Sequence, residues 1–155
     1  MTRLLVLRHG EASYDVSPDA QRPLTARGKA QTHVVLGRRR AELADVDCIV
    51  VSPLRRARET AALALAFTAP RARLLVSERL TPEGSTGALL DFLEELSPER
   101  CLLVGHQPLA GRLIGKMTGA GMPLGLATSG LVGLEVFAWS EDGARELWWD
   151  EPQDR

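Results

Sequence analysis

The sequence holds only two cysteines, Cys48 and Cys101, and each sits in an apolar run. That pattern suits reduced thiols packed as small hydrophobes in a cytosol better than a disulfide framework. Neither sign of charge dominates: 19 Lys and Arg stand against 20 Asp and Glu, a formal net charge of −1. There is no global pull toward nucleic acid or an anionic membrane, so any anion site must be local. Long apolar runs are also missing. The first run, Leu4 to Leu7, stops at Arg8, well short of a spanning helix or a signal-peptide core. These absences lead us to expect a cytoplasmic protein with no nucleic-acid and no membrane partner. Aromatic residues make up only 5% of the chain, and Trp139, Trp148 and Trp149 crowd its last fifth. That position suits sheet packing better than a base-stacking platform. Repeats and linkers are absent, and 155 residues fit one domain, 1–155.

What is present alternates between two periods. Leu4–Leu7 and Val46–Val51 are continuous apolar runs, the pattern of strands buried on both faces. Leu74–Val76 and Cys101–Val104 read as two more strands. Between them lie helical stretches. Thr25 caps one that runs to about Arg40, and Ser52-Pro53 starts a second with a hydroxyl cap and a proline. Leu89–Leu96 carries helical spacing, and Pro108 opens a last helix to about Met117. Leu131–Trp139 and Arg145–Trp149 flank Glu141-Asp142-Gly143, a hairpin signal. Alternating strands and helices predict an α/β three-layer sandwich. Its central sheet is mainly parallel, with helices on both faces and an antiparallel hairpin at the C-terminus.

Three strand ends carry the chemistry. The first ends in Arg8-His9-Gly10, the second in Ser52-Pro53-Leu54-Arg55-Arg56-Ala57, the fourth in Gly105-His106-Gln107-Pro108. Ligands of open α/β sheets bind at the carboxyl ends of strands. If these strands are neighbours, two histidines and at least two arginines share one cleft. Arginine forks match phosphate oxygens, helix N-termini favour anions, and a neutral histidine is a nucleophile near neutral pH. Phosphoryl transfer asks mostly for positioning and charge stabilisation. Such a cleft needs no metal and no cofactor. Close ligand spacing such as His-x-x-x-His does not occur either.

Arg8-His9-Gly10-Glu11, placed directly after an N-terminal buried strand, resembles the signature of the histidine phosphatase superfamily, the phosphoglycerate-mutase-like fold. Its companions are Arg22-Pro23-Leu24-Thr25-Ala26-Arg27-Gly28, Ser52 to Ala61, and Gly105-His106-Gln107-Pro108-Leu109. The short chain and Leu80-Thr81-Pro82 are most similar to the small bacterial phosphohistidine phosphatases of that superfamily. The resemblance implies that His9 is the nucleophile and that Arg8, Arg56 and His106 hold the phosphoryl oxygens. It also implies that Arg22 lies near the pocket mouth. For the proton donor, Glu83 and Glu11 both remain candidates. An imidazole leaving group is far less basic than an alkoxide and relaxes the need for one.

The expected activity is therefore a metal-independent phosphohydrolase acting through a phosphohistidine on His9. Its expected partner is a phosphorylated protein carrying phosphohistidine, with a small phosphorylated metabolite as the alternative. A phosphosugar mutase and a non-catalytic phosphate-binding module are the competing classes. The first normally needs a closed pocket, and the second needs only the arginines.

Overall fold

The computed structural model describes residues 1–152. Its sheet has six strands: β1 (Thr2–Arg8), β2 (Cys48–Val51), β3 (Arg73–Val76), β4 (Arg100–Gly105), β5 (Leu131–Val136) and β6 (Ala144–Asp150). They lie in the order β3-β2-β4-β1-β5-β6. The pairs β3–β2, β2–β4 and β4–β1 are parallel, whereas β1–β5 and β5–β6 are antiparallel. The helices are α1 (Ala26–Arg38), the single turn α2 (Arg40–Leu43), α3 (Arg55–Ala64), α4 (Thr86–Leu96) and α5 (Leu109–Thr118).

The continuous apolar runs now have their reason. Leu4 and Val6 point to one face of the sheet, into a cluster with Leu89, Leu93, Leu113 and Ile114 of α4 and α5. Leu5 and Leu7 point to the other, into a cluster with Val35, Leu36, Ala57 and Ala61 of α1 and α3. A strand covered on both faces has no polar side, so its sequence does not alternate. Cys48 and Cys101 sit side by side in the β2–β4 register, both buried and both unbridged. Among the described residues, no helix is long and apolar enough to cross a membrane.

Four local readings need correction. The first helix does not continue to Arg40. It ends at Arg38 because Arg39 leaves helical geometry (φ −106°, ψ 25°). There the Arg39 Nε donates to Asp150 Oδ2 at 3.0 Å, and the guanidinium lies 4.1 Å from the Trp148 ring centre. Ser52 does not cap α3, whose flanking residue is Leu54. The strand expected from Val46 begins at Cys48. The strand expected to reach Trp139 stops at Val136, because the amides of Phe137 and Ala138 turn to the Gly143 carbonyl, at 2.7 and 3.0 Å.

Candidate active site

The strand order decides where the chemistry meets. β4 lies between β1 and β2, so the carboxyl ends of all three are neighbours. The His9 amide donates to the Gly105 carbonyl at 3.0 Å, and the Ser52 amide to the Val104 carbonyl at 3.1 Å. These bonds extend the parallel ladders one residue past the strands. Around them a cavity of about 470 Å³ is lined by Arg8, His9, Glu11, Ala12, Tyr14, Asp19, Arg22, Arg56, Pro82, His106, Gln107 and Thr128. Six of the seven residues singled out from sequence line it. Glu83 does not; it is exposed, and its neighbour Pro82 reaches the cavity instead.

His9 and His106 face each other with ring centres 5.0 Å apart. The His9 Nδ1 lies 2.7 Å from the Gly10 carbonyl oxygen, an acceptor only. Nδ1 must therefore carry the proton, which leaves the Nε2 lone pair free. Burial pushes the His9 pKa down to about 4, against the opposing Gly10 hydrogen bond; the charges of Arg56, Arg8 and Arg22 add smaller contributions in the same direction as burial. His106 is pushed down to about 3, by burial first and then by His9 and Arg56.

The His106 tautomer follows from its partner. Its Nε2 lies 2.7 Å from the Ser52 Oγ, and that hydroxyl already accepts from the Leu54 amide at 3.2 Å. Ser52 is fully buried, and its proton has no acceptor other than His106 Nε2 among the bonds the site makes. With the Ser52 proton on that bond, Nδ1 of His106 is an N–H donor. It is buried and has no partner within the protein, as is Nε of Arg8. Both atoms are shut off from solvent and unpaired, a standing cost at the base of the site.

The arginines differ in how far their donors are spent. Arg8 Nη1 donates to the Leu126 carbonyl at 2.8 Å. Arg56 is buried and forks onto Asp19, Nη1 to the backbone carbonyl at 3.0 Å and Nη2 to the carboxylate at 3.2 Å. Arg22 donates from Nε to the Ser13 carbonyl at 2.7 Å and from Nη1 to the Asp19 carboxylate at 3.0 Å; Nη2 reaches the Ala12 carbonyl at 3.3 Å. Arg22 therefore braces the loop at the cavity mouth. Glu11 is engaged too: its carboxylate accepts from the Thr25 hydroxyl at 2.8 Å and from Arg27 at 3.3 Å.

No role at the cavity was read from the sequence for Asp19, Ser52, Thr60 or Ser129. Thr60 lies one turn after Arg56 on α3, and its hydroxyl accepts from the Gly10 amide at 3.1 Å. That i, i+4 spacing was the only available signal. Ser129, at φ 62°, donates its amide to the carbonyls of both Arg8 and His9 at 3.1 Å. Gly28 is required by close approach, since a Cβ there would lie 2.2 Å from the Glu11 carbonyl oxygen. The start of α1 thus packs directly on the loop that carries His9.

A family model described as the histidine phosphatase superfamily (branch 1) matches residues 4–81, half of the chain. An uncharacterized protein of Picosynechococcus sp. is 38% identical over 139 residues, covering 84% of this chain and 83% of that one. The chain belongs to the histidine phosphatase superfamily. Phosphohistidine phosphatase SixA of Escherichia coli is 26% identical to this histidine phosphatase over 138 residues, 86% of this chain and 85% of that one. A solved structure of the protein histidine phosphatase SixA complexed with tungstate superposes with a TM-score of 0.87 at 24% identity, covering 97% of each chain. That likeness establishes the phosphoglycerate-mutase-like fold expected from the sequence.

The depressed histidines of this phosphatase make its stability depend on pH. The unfolded chain takes up protons near the ordinary histidine pKa of about 6.5, while the folded one refuses them down to about 4 at His9 and about 3 at His106. Stability is complete above pH 6.5 and falls as the pH drops below it. In urea unfolding between pH 7 and pH 4.5, His106→Asn is expected to show a slope smaller by about one proton than the wild type. Identical slopes would contradict the burial of a neutral His106.

Proposed function

We propose that this chain hydrolyses protein phosphohistidine by way of a covalent phosphohistidine on His9. The Nε2 lone pair of His9 attacks phosphorus. The P–N bond to the substrate imidazole breaks, its electron pair stays on that nitrogen, and solvent supplies the proton. Arg8, Arg56 and His106 hold the equatorial oxygens, meeting the charge that spreads over them. Water then attacks phosphorus, the bond to Nε2 breaks, and inorganic phosphate leaves. Binding of a dianion offsets the repulsion between Arg8 and Arg56.

The state of the carboxylates around the cavity carries the choice of substrate. Glu11 is tied to Thr25 and Arg27. The hydrogen bond from Arg22 first, and the charge of Arg56 after it, hold the Asp19 carboxyl below its usual range. Glu83 lies outside the cavity lining. Neither the bonding of Glu11 and Asp19 nor the position of Glu83 aims a carboxyl at a leaving alkoxide, and an imidazole leaving group needs none. A cytoplasmic phosphoprotein fits the open mouth and the reduced, buried cysteines.

A comparison of a phosphohistidine peptide, a phosphoserine peptide of the same sequence and phosphorylated metabolites tests this reading. The phosphohistidine peptide is expected to exceed phosphoserine in kcat/KM by about 10²-fold or more, the scale of a missing general acid. Equal or faster turnover of phosphoserine or of a sugar phosphate would refute the substrate assignment.

A further inference from the structure

We propose that Tyr14 is the specificity-determining residue for the leaving group, an aromatic wall at the cavity mouth against which the imidazole of phosphohistidine stacks. The inference rests on the substrate proposed above and names the part of the site that would recognise it.

Tyr14 is the only tyrosine in the chain, and the residue is 87% exposed. It belongs to neither apolar cluster, so it contributes nothing to the core. A large ring left in water is nevertheless held in place. The Arg22 guanidinium lies 4.2 Å from the ring centre, and Arg22 is itself fastened to Ser13, Asp19 and Ala12 by three hydrogen bonds. A cation stacked on one side of an aromatic ring braces it and leaves the remaining surface free. That remaining surface borders the same cavity as Arg8, His9, Arg56 and His106.

The direction of the chemistry places the leaving group near this ring. In an in-line displacement the leaving atom lies opposite the attacking one. His9 is buried at the cavity floor, so the group that departs faces the mouth. Tyr14 is the one aromatic ring besides the two histidines among the lining residues. Flat rings gain from stacking with their centres 4.5–7 Å apart, a gain that aliphatic amines and alkoxides cannot make. The phosphate pocket reads the group being transferred, and Tyr14 reads what it is transferred from.

The test uses two peptides of one sequence, one bearing phosphohistidine and one phospholysine, so that a P–N bond breaks in both and only the first leaves a ring. Wild type, Tyr14→Phe and Tyr14→Ala are compared, with tungstate inhibition as the check on the phosphate pocket. Tyr14→Ala is expected to lower the ratio of kcat/KM for phosphohistidine over phospholysine about fivefold. Tyr14→Phe should keep the ratio, and the tungstate Ki should not move in either variant. An unchanged ratio in Tyr14→Ala would overturn the platform. Equal losses on both peptides with a raised tungstate Ki would also overturn it, because Tyr14 would then act through Arg22. Loss of the ratio in Tyr14→Phe would assign the effect to the hydroxyl and overturn the ring. A wild type with no preference for phosphohistidine would instead overturn the substrate itself, and the platform with it.

Discussion

Replacing His9 by alanine is expected to lower turnover of a phosphohistidine peptide by at least about 10⁴-fold and to abolish any acid-labile label on the protein after a brief exposure to labelled substrate. The size of the effect follows from the geometry. No other group at the cavity offers a free lone pair so close to the arginines. The His106 Nε2 is engaged by Ser52, and its Nδ1 carries a proton in the tautomer that Ser52 imposes. The substitution removes a ring pushed down to about 4 by burial, so the folded chain should lose nothing in stability at pH 5. Residual turnover within tenfold of wild type would show that water attacks the substrate directly. Label retained on the variant would move the covalent intermediate to another residue.

Arg56→Ala is expected to cost about 10²–10³-fold in kcat/KM, the scale of one lost oxyanion donor in a dry site. Arg56→Lys should recover less than a tenth of that. Lysine keeps the charge but not the planar fork, and the fork is what Arg56 uses: in this structure it grips both the backbone carbonyl and the carboxylate of Asp19. In the mechanism proposed above, a phosphoryl group takes over such N–H groups from Asp19. Asp19 is 64% exposed and sits on a short 3₁₀ turn, so it can yield its place without disturbing the core. Tungstate competition should weaken in step with kcat/KM in both variants. A lysine variant near wild type would show that charge alone suffices.

The sheet was legible in the sequence because a strand covered on both faces must be apolar at every position, as Leu4–Leu7 and Cys101–Val104 are. The cleft was legible because Arg8, His9 and His106 sit at or directly after strand ends and Arg56 lies in the first turn of the helix that follows β2. What failed was local reasoning at positions claimed by distant partners. Ser52 stands before a proline and a helix and therefore resembles a cap, but its hydroxyl turns to His106, 54 residues on. Arg39 continues a helical pattern, but Asp150 and Trp148 draw it out of the helix. Asp19 lies in a polar loop with no period, and nothing short of the folded contact marks it as the partner of Arg56. Glu83 is close to the site in sequence yet exposed in the structure, since Pro82 is the residue that the turn after Glu78–Leu80 presents to the cavity.

The central position of β1 has a consequence for synthesis. His9 precedes its structural partners in the sequence: its backbone is held by Gly105 and Ser129, and β1 pairs with β4 and β5 on either side. A nascent chain that has reached the end of α3 already contains His9, Arg8, Arg56 and Thr60. It has neither neighbour of β1, no His106, and no Ser129 to hold the loop. Pairings this distant along the chain form late because the intervening loop must first be closed. His9 thus remains unoriented until β4 and Ser129 have been made, and the cavity assembles in the same step that closes the middle of the sheet.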